Sequence, residues 1–154
     1  MRNLSNKNIT KLEKLFALAE DNGIPIDEHC PSHLVSISVR LPNGRKIIGI
    51  SPESDTAEHT RLECMAHELG HCLTESFYSG YSPLELRAKH EYRADAWAID
   101  RLIPFSALCQ AIKDGCRERY ELAEYFGVSD RFVEKALRLY EQRNSPLPIA
   151  PDRD

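Results

Sequence analysis

No stretch of eighteen consecutive apolar residues occurs in the chain, so no segment has the length of a membrane-spanning helix. The opening residues, Met1 to Asn8, lack the apolar core of a secretory signal. A basic excess is missing too. Lys+Arg number 20 against 24 Asp+Glu, a formal charge of −4, which argues against a nonspecific nucleic-acid binder. The five cysteines, Cys30, Cys64, Cys72, Cys109 and Cys116, are odd in number and none stands in Cys-x-x-Cys spacing. Reduced thiols in a cytoplasmic protein are the simplest reading. No internal repeat and no low-complexity run interrupts the chain. What remains is ordinary for a globular protein: 154 residues, 42% hydrophobic and 29% charged, enough for one domain with a real core.

Periodicity divides the chain. Ile9, Leu12, Leu15, Phe16 and Ala19 recur at helical spacing after a cap at Asn8 or Thr10, and Gly23 with Pro25 stops that helix. Residues 34–50 read as a β-hairpin. Val35, Ile37 and Val39 alternate with Ser36, Ser38 and Arg40, Pro42-Asn43-Gly44 supplies the turn, and Lys46 to Ile50 returns. A second helix is expected from about Thr56 to Ser76, with Leu62, Met65, Leu69 and Leu73 as its apolar stripe. After a loop over 77–83, Ser82 and Glu85 fit a capping box and Pro83 a first helical position. The third helix then runs to about Leu102. The last third reads as helices over about Phe105–Lys113, Glu118–Phe126 and Ser129–Gln142, followed by a flexible tail over 144–154. The expected class is α+β: one domain over 1–143, a small antiparallel hairpin-containing sheet packed on helices, and a helical C-terminal part.

The chemistry concentrates in His67-Glu68-Leu69-Gly70-His71. Two histidines four apart share one helix face, one turn apart, so two imidazole nitrogens can reach one metal ion. Glu68 lies beside the first of them and can take a proton from water at the metal. A hydrolytic zinc site needs three protein ligands and an open position, so the third ligand must come from elsewhere. Glu91 on the next helix is the best offer, twenty residues after His71. Ala88, Ala94 and Ala98 keep that helix slim enough for close approach. Asp95, one turn beyond Glu91, can accept the second N–H of a ligating histidine. His90 is the rival third ligand, although it points about 100° away from Glu91 on the helix. Cys64, one turn before His67, is read as a packing thiol. Tyr78, Tyr81 and Tyr92 are candidates to donate an O–H to a developing oxyanion, and the sequence does not choose among them. His29, Cys30 and His33 match no zinc module and are read as a loop.

At His67 to His71 the chain resembles zinc metallopeptidases of the thermolysin-like gluzincin group, with a zincin-like active-site helix. A wider set of residues is similar to the ImmA/IrrE family: Ala66 to His71, then Glu91-Tyr92-Arg93-Ala94-Asp95-Ala96-Trp97-Ala98, then Leu102-Ile103-Pro104, then Glu121 to Ser129 and the helix after it. The resemblance spans residues 5–142. It implies a cytoplasmic, zinc-dependent endopeptidase from a phage or another mobile element. Its substrate would be a protein, such as a helix-turn-helix repressor. His67, His71 and Glu91 would be the Zn²⁺ ligands and Glu68 the catalytic base. Arg93 stands where the family often has a second acid, and Trp97 where Phe is common.

Residues 118–142 also resemble a helix-turn-helix, through Leu122, Ala123, Phe126, Val128, Val133 and Leu137. A DNA-binding module, or a catalytically silent regulator on the zinc fold, is therefore the alternative. Charge speaks against the first: from 117 to 143 six basic residues face six acidic ones, leaving no basic recognition face. Intact Glu68 speaks against the second. No direct nucleic-acid partner and no membrane partner is expected.

Overall fold

The computed structural model describes residues 9–30, 34–52 and 56–148. The expected α+β class is what it shows: six helices and a small three-stranded sheet.

Helix α1 (Lys11–Asp21) starts at Thr10, whose side chain accepts from the Glu13 amide while the Glu13 carboxylate accepts from the Thr10 amide. Leu15 and Ala19 are its buried face. Strand β1 (Ile26–Asp27) follows, a two-residue element that the sequence reading did not contain. It pairs parallel with β3 (Lys46–Ile50), and β3 pairs antiparallel with β2 (Ser36–Arg40). The order β1-β3-β2 makes the sheet mixed rather than purely antiparallel and leaves β2 at an edge. Ile48 and Ile50 of β3 are completely buried toward the helices. On β2 the alternation runs the other way: Val35, Ile37 and Val39 are each about 40% exposed, so the intervening serines take the inner face.

Helix α2 (Glu58–Leu73) is the axis of the molecule. Leu62, Met65, Ala66, Leu69 and Cys72 are buried, and α1, the sheet and α3 all pack on it. It ends at Leu73, three residues before the expected Ser76, with Thr74 as its cap. Glu75 adopts a left-handed conformation (φ 53°), and the Ser76 amide donates back to the His71 carbonyl at 3.0 Å, a Schellman-type stop. Lys46 of β3 donates to the Cys72 carbonyl (2.7 Å) and pairs with Glu75, placing a cation at the negative end of α2. Buried Arg61 ties α2 to the sheet through the Ser51 carbonyl and the Glu28 carboxylate.

Helix α3 (Leu84–Leu102) begins one residue after Pro83, with no side-chain cap. The expected Ser82–Glu85 capping box does not form, because the Ser82 hydroxyl turns back and accepts from the Ser79 amide. Contacts between α2 and α3 run in opposite senses along the chain, His71 meeting Glu91 while His67 meets Asp95, so the helices are antiparallel. They approach closely at Gly70. A methyl built there would lie 2.5 Å from the Ala94 carbonyl oxygen and 2.9 Å from its Cα. Ala94 and Ala98 form the slim face expected of α3, whereas Ala88 is exposed and plays no part in it.

Helices α4 (Phe105–Lys113), α5 (Arg119–Phe126) and α6 (Asp130–Gln142) follow the predicted order. Gly127 closes α5 in the left-handed conformation, and Ser129 caps α6. Tyr140 of α6, 2% exposed, donates its hydroxyl to the Ile103 carbonyl (2.7 Å) and anchors α6 to the end of α3. The expected tail lies outside the described residues from 149 onward, as does His33. Among the described residues no helix is long and apolar enough to cross a membrane.

Candidate metal centre

His67 and His71 lie one turn apart on α2, as their spacing requires, and face α3 across the Gly70 contact. Their Nε2 atoms are 3.1 Å apart. Glu91 reaches both from α3: one carboxylate oxygen is 3.1 Å from His67 Nε2 and the other 3.1 Å from His71 Nε2. The far side of each ring is committed. His67 Nδ1 is 2.8 Å from Asp95 Oδ1, and His71 Nδ1 is 2.7 Å from the Ser76 carbonyl. An acceptor opposite each Nδ1 places the ring proton there and leaves the Nε2 lone pair pointing inward. Two nitrogen lone pairs and a carboxylate thus converge, a donor set that could hold a cation. Two ligands about 2.05 Å from a tetrahedral zinc would stand roughly 3.3 Å apart, close to the spacing found here. The three residues form a group that could hold a metal ion.

In the metal-free chain, protons compete for this place. Burial pulls the His67 imidazole down, but its hydrogen bonds to Asp95 and Glu91 outweigh that and hold it up at about 9. The same contacts with His67 and His71 hold the Glu91 carboxyl well below the usual carboxylate range. Asp95 is also held low: burial opposes this, and its bonds to His67 and Lys135 prevail. Lys135 Nζ, on α6, is 3.1 Å from Asp95 Oδ2.

Glu68 is 7% exposed and does not join the ligand group. It faces the edge strand, where the Ser36 hydroxyl donates to its Oε1 (2.8 Å). Ser36, Glu68 and the three ligand candidates line one cleft of about 290 Å³, together with Ser38, Phe77 and Tyr78. Two larger clefts, of about 560 and 610 Å³, lie elsewhere along α1 and α5, and neither is lined by any of these residues.

A peptidase-family model, described as an IrrE N-terminal-like domain, matches residues 23–138. The chain belongs to this family. No curated protein and no solved structure gives a significant match. In this IrrE-like chain the matched region contains the whole ligand group, Glu68 and Asp95. Of the three tyrosines, only Tyr78 reaches the cleft; its hydroxyl donates to Glu91 Oε1 at 2.7 Å, which raises its own pKa. Tyr81 is fully exposed and Tyr92 is half exposed. His90, the rival ligand, is outside the group and stacks on Tyr78 instead. Cys64 lines the adjoining cavity as a thiol whose pKa is raised by burial, and Cys30 is buried against Gly49 while His29 stays exposed. Sequence reasoning missed Ser36, Ser76 and Lys135. The serine alternation of β2 was the one signal available, since polar residues on the inner face of a strand need a partner.

Proposed function

We propose that the chain is a zinc-dependent endopeptidase acting on a protein substrate, and that His67, His71 and Glu91 hold the metal. The observation that carries this reading is the convergence of three lone-pair donors with both outer imidazole nitrogens already committed. Zinc, when bound, supplies a Lewis acid that lowers the pKa of water and polarises a carbonyl. The protein residues do the rest. Glu68 accepts the proton of the attacking water and passes it to the leaving amine. The Ser36 hydroxyl holds the Glu68 carboxylate toward the cleft. Tyr78, at the cleft wall, would donate to a developing oxyanion by moving its hydroxyl off Glu91. Asp95 and the Ser76 carbonyl fix the two imidazoles. Among the described residues strand β2 is an edge strand beside the cleft, along which an extended peptide can add as a further strand.

The family resemblance supports a helix-turn-helix repressor as the substrate, and the five free thiols suit the reducing cytoplasm. The test is to incubate zinc-loaded chain with the repressor-like product of a neighbouring gene, in parallel with Glu68→Gln and with a chelated sample. Fragments are expected from the wild type alone. Equal fragmentation by Glu68→Gln would refute the assigned base.

A further inference from the structure

The cleft does not end at the ligand group. Ser36, His67 and Glu91 also line an adjoining cavity of about 260 Å³ that opens toward α6. Its remaining walls are Glu63, Cys64, Asp95, Arg131, Phe132 and Lys135. Nearly every charge here is committed. Glu63 accepts from the amide and hydroxyl of Ser129 at the start of α6. Asp95 lies between His67 and Lys135, so Lys135 is committed with it. Arg131 differs. It stands one turn before Lys135 on the same face of α6, and it has no hydrogen bond or ion pair with any described residue. Its near neighbour Glu134 is taken by Arg119 and Arg138.

We propose that Arg131 is a specificity-determining residue, forming a subsite next to the scissile bond that takes a carboxylate of the substrate. The inference rests on the peptidase reading. A guanidinium offers a planar fork that matches a carboxylate with two parallel hydrogen bonds. Lys135 uses one of its three donors on Asp95 and offers a point charge, not a planar fork. With zinc in place the charges around the two cavities balance, Glu63, Glu68, Asp95 and Glu91 against Arg131, Lys135 and a divalent ion, and Arg131 is the cation among them that faces no carboxylate of the described residues. Phe132, 7% exposed, gives the cavity an apolar floor for the methylenes of an acidic side chain. The carboxylate has two sources, an Asp or Glu side chain or the C-terminus of a peptide.

The experiment digests denatured cell protein with chymotrypsin and offers the peptides to the zinc-loaded full chain. Cleavage sites are then read by mass spectrometry. A side-chain carboxylate appears as about tenfold enrichment of Asp and Glu at one fixed position, the worth of one charged hydrogen bond. A terminal carboxylate appears as cleavage at a fixed distance from the C-terminus that methyl esterification abolishes. In either case Arg131→Ala should erase the preference and Arg131→Glu should replace it with Lys and Arg, both variants keeping wild-type zinc content and helical signal. No such preference in the wild type, or one that survives Arg131→Glu, overturns the subsite and leaves the peptidase reading intact. No zinc-dependent cleavage of any peptide by the wild type overturns both.

Discussion

Gly70 is the third residue after His67, and its role can be separated from the chemistry around it by adding one methyl group. In Gly70→Ala the new Cβ would stand 2.5 Å from the Ala94 carbonyl oxygen and within 3.1 Å of two further Ala94 backbone atoms. These are main-chain atoms, so no rotamer change relieves the clash. An ordinary contact begins near 3.4 Å, so α2 and α3 must separate by about 1 Å at this crossing. Overpacking of this kind costs about 1–3 kcal/mol. Replacing a helical glycine by alanine returns roughly 1 kcal/mol of that through helix propensity. The expected net loss is therefore modest, about 0–2 kcal/mol by urea unfolding of the metal-free chain.

The metal site should suffer more. Glu91 lies on α3 less than one turn from Ala94, while both histidines lie on α2, so a 1 Å separation moves the carboxylate relative to the imidazoles. Metal–ligand distances tolerate only about 0.2 Å. Zinc affinity, measured by competition with a chromophoric chelator, should fall at least about tenfold, more than the stability change alone would suggest. Gly80→Ala is the control. Its Cβ meets nothing within 4 Å, and both readouts should be unchanged within about 0.5 kcal/mol. If Gly70→Ala bound zinc as tightly as the wild type, the close approach would not be what positions Glu91.

Four further outcomes are expected. Glu91→Ala should weaken zinc binding far more than Asp95→Ala, whose effect on a competition titration should lie in the range of about 10–100-fold. In the metal-free chain the His67 pKa is raised from 6.5 to about 9, so its contribution to stability is complete below pH 6.5 and is lost as pH rises through about 9. Chelated protein should lose urea stability across that window, and His67→Ala should remove that part of the slope. Cys72 is completely buried and burial pushes its thiol up to about 12, so iodoacetamide at pH 8 should leave it unmodified until the chain is unfolded. Duplex DNA should bind without steep salt dependence in an anisotropy titration, since the C-terminal helices are charge-balanced; sub-micromolar binding that weakens sharply with salt would favour the regulator reading.

The parts of the fold that could be read from the sequence are those whose determinants are local. The cap of α1 at Thr10, one of the two positions expected, the Gly127 stop and the Ser129 cap all act within four residues, and each appears in the structure. Strand β1 was illegible because two residues carry no period; it exists only through pairing with β3, some twenty residues on. The end of α2 was misplaced for a related reason. Glu75 holds a left-handed conformation that a local rule reserves for glycine or asparagine, and its partner Lys46 lies on a distant strand. At Ser82 two local rules competed, and the turn hydrogen bond to Ser79 won over the helix cap.

The same distinction runs through the site. His67, Glu68 and His71 stand together in the sequence, and Glu91 with Asp95 could be set beside them because helical period fixes which residues of the next helix share a face. The groups that hold those side chains in place come from other elements: Ser36 from β2, the Ser76 carbonyl from the loop after α2, Lys135 from α6. Each is a common residue type with no motif of its own. Its role arises only when the chain returns to α2, and three separate elements must do so for both imidazoles and the Glu68 carboxylate to be fixed. A metal centre of this kind is thus specified twice: a short motif sets the reacting groups, and the tertiary fold sets their orientation. Substitutions in the second set should alter zinc affinity and specificity while leaving the motif untouched.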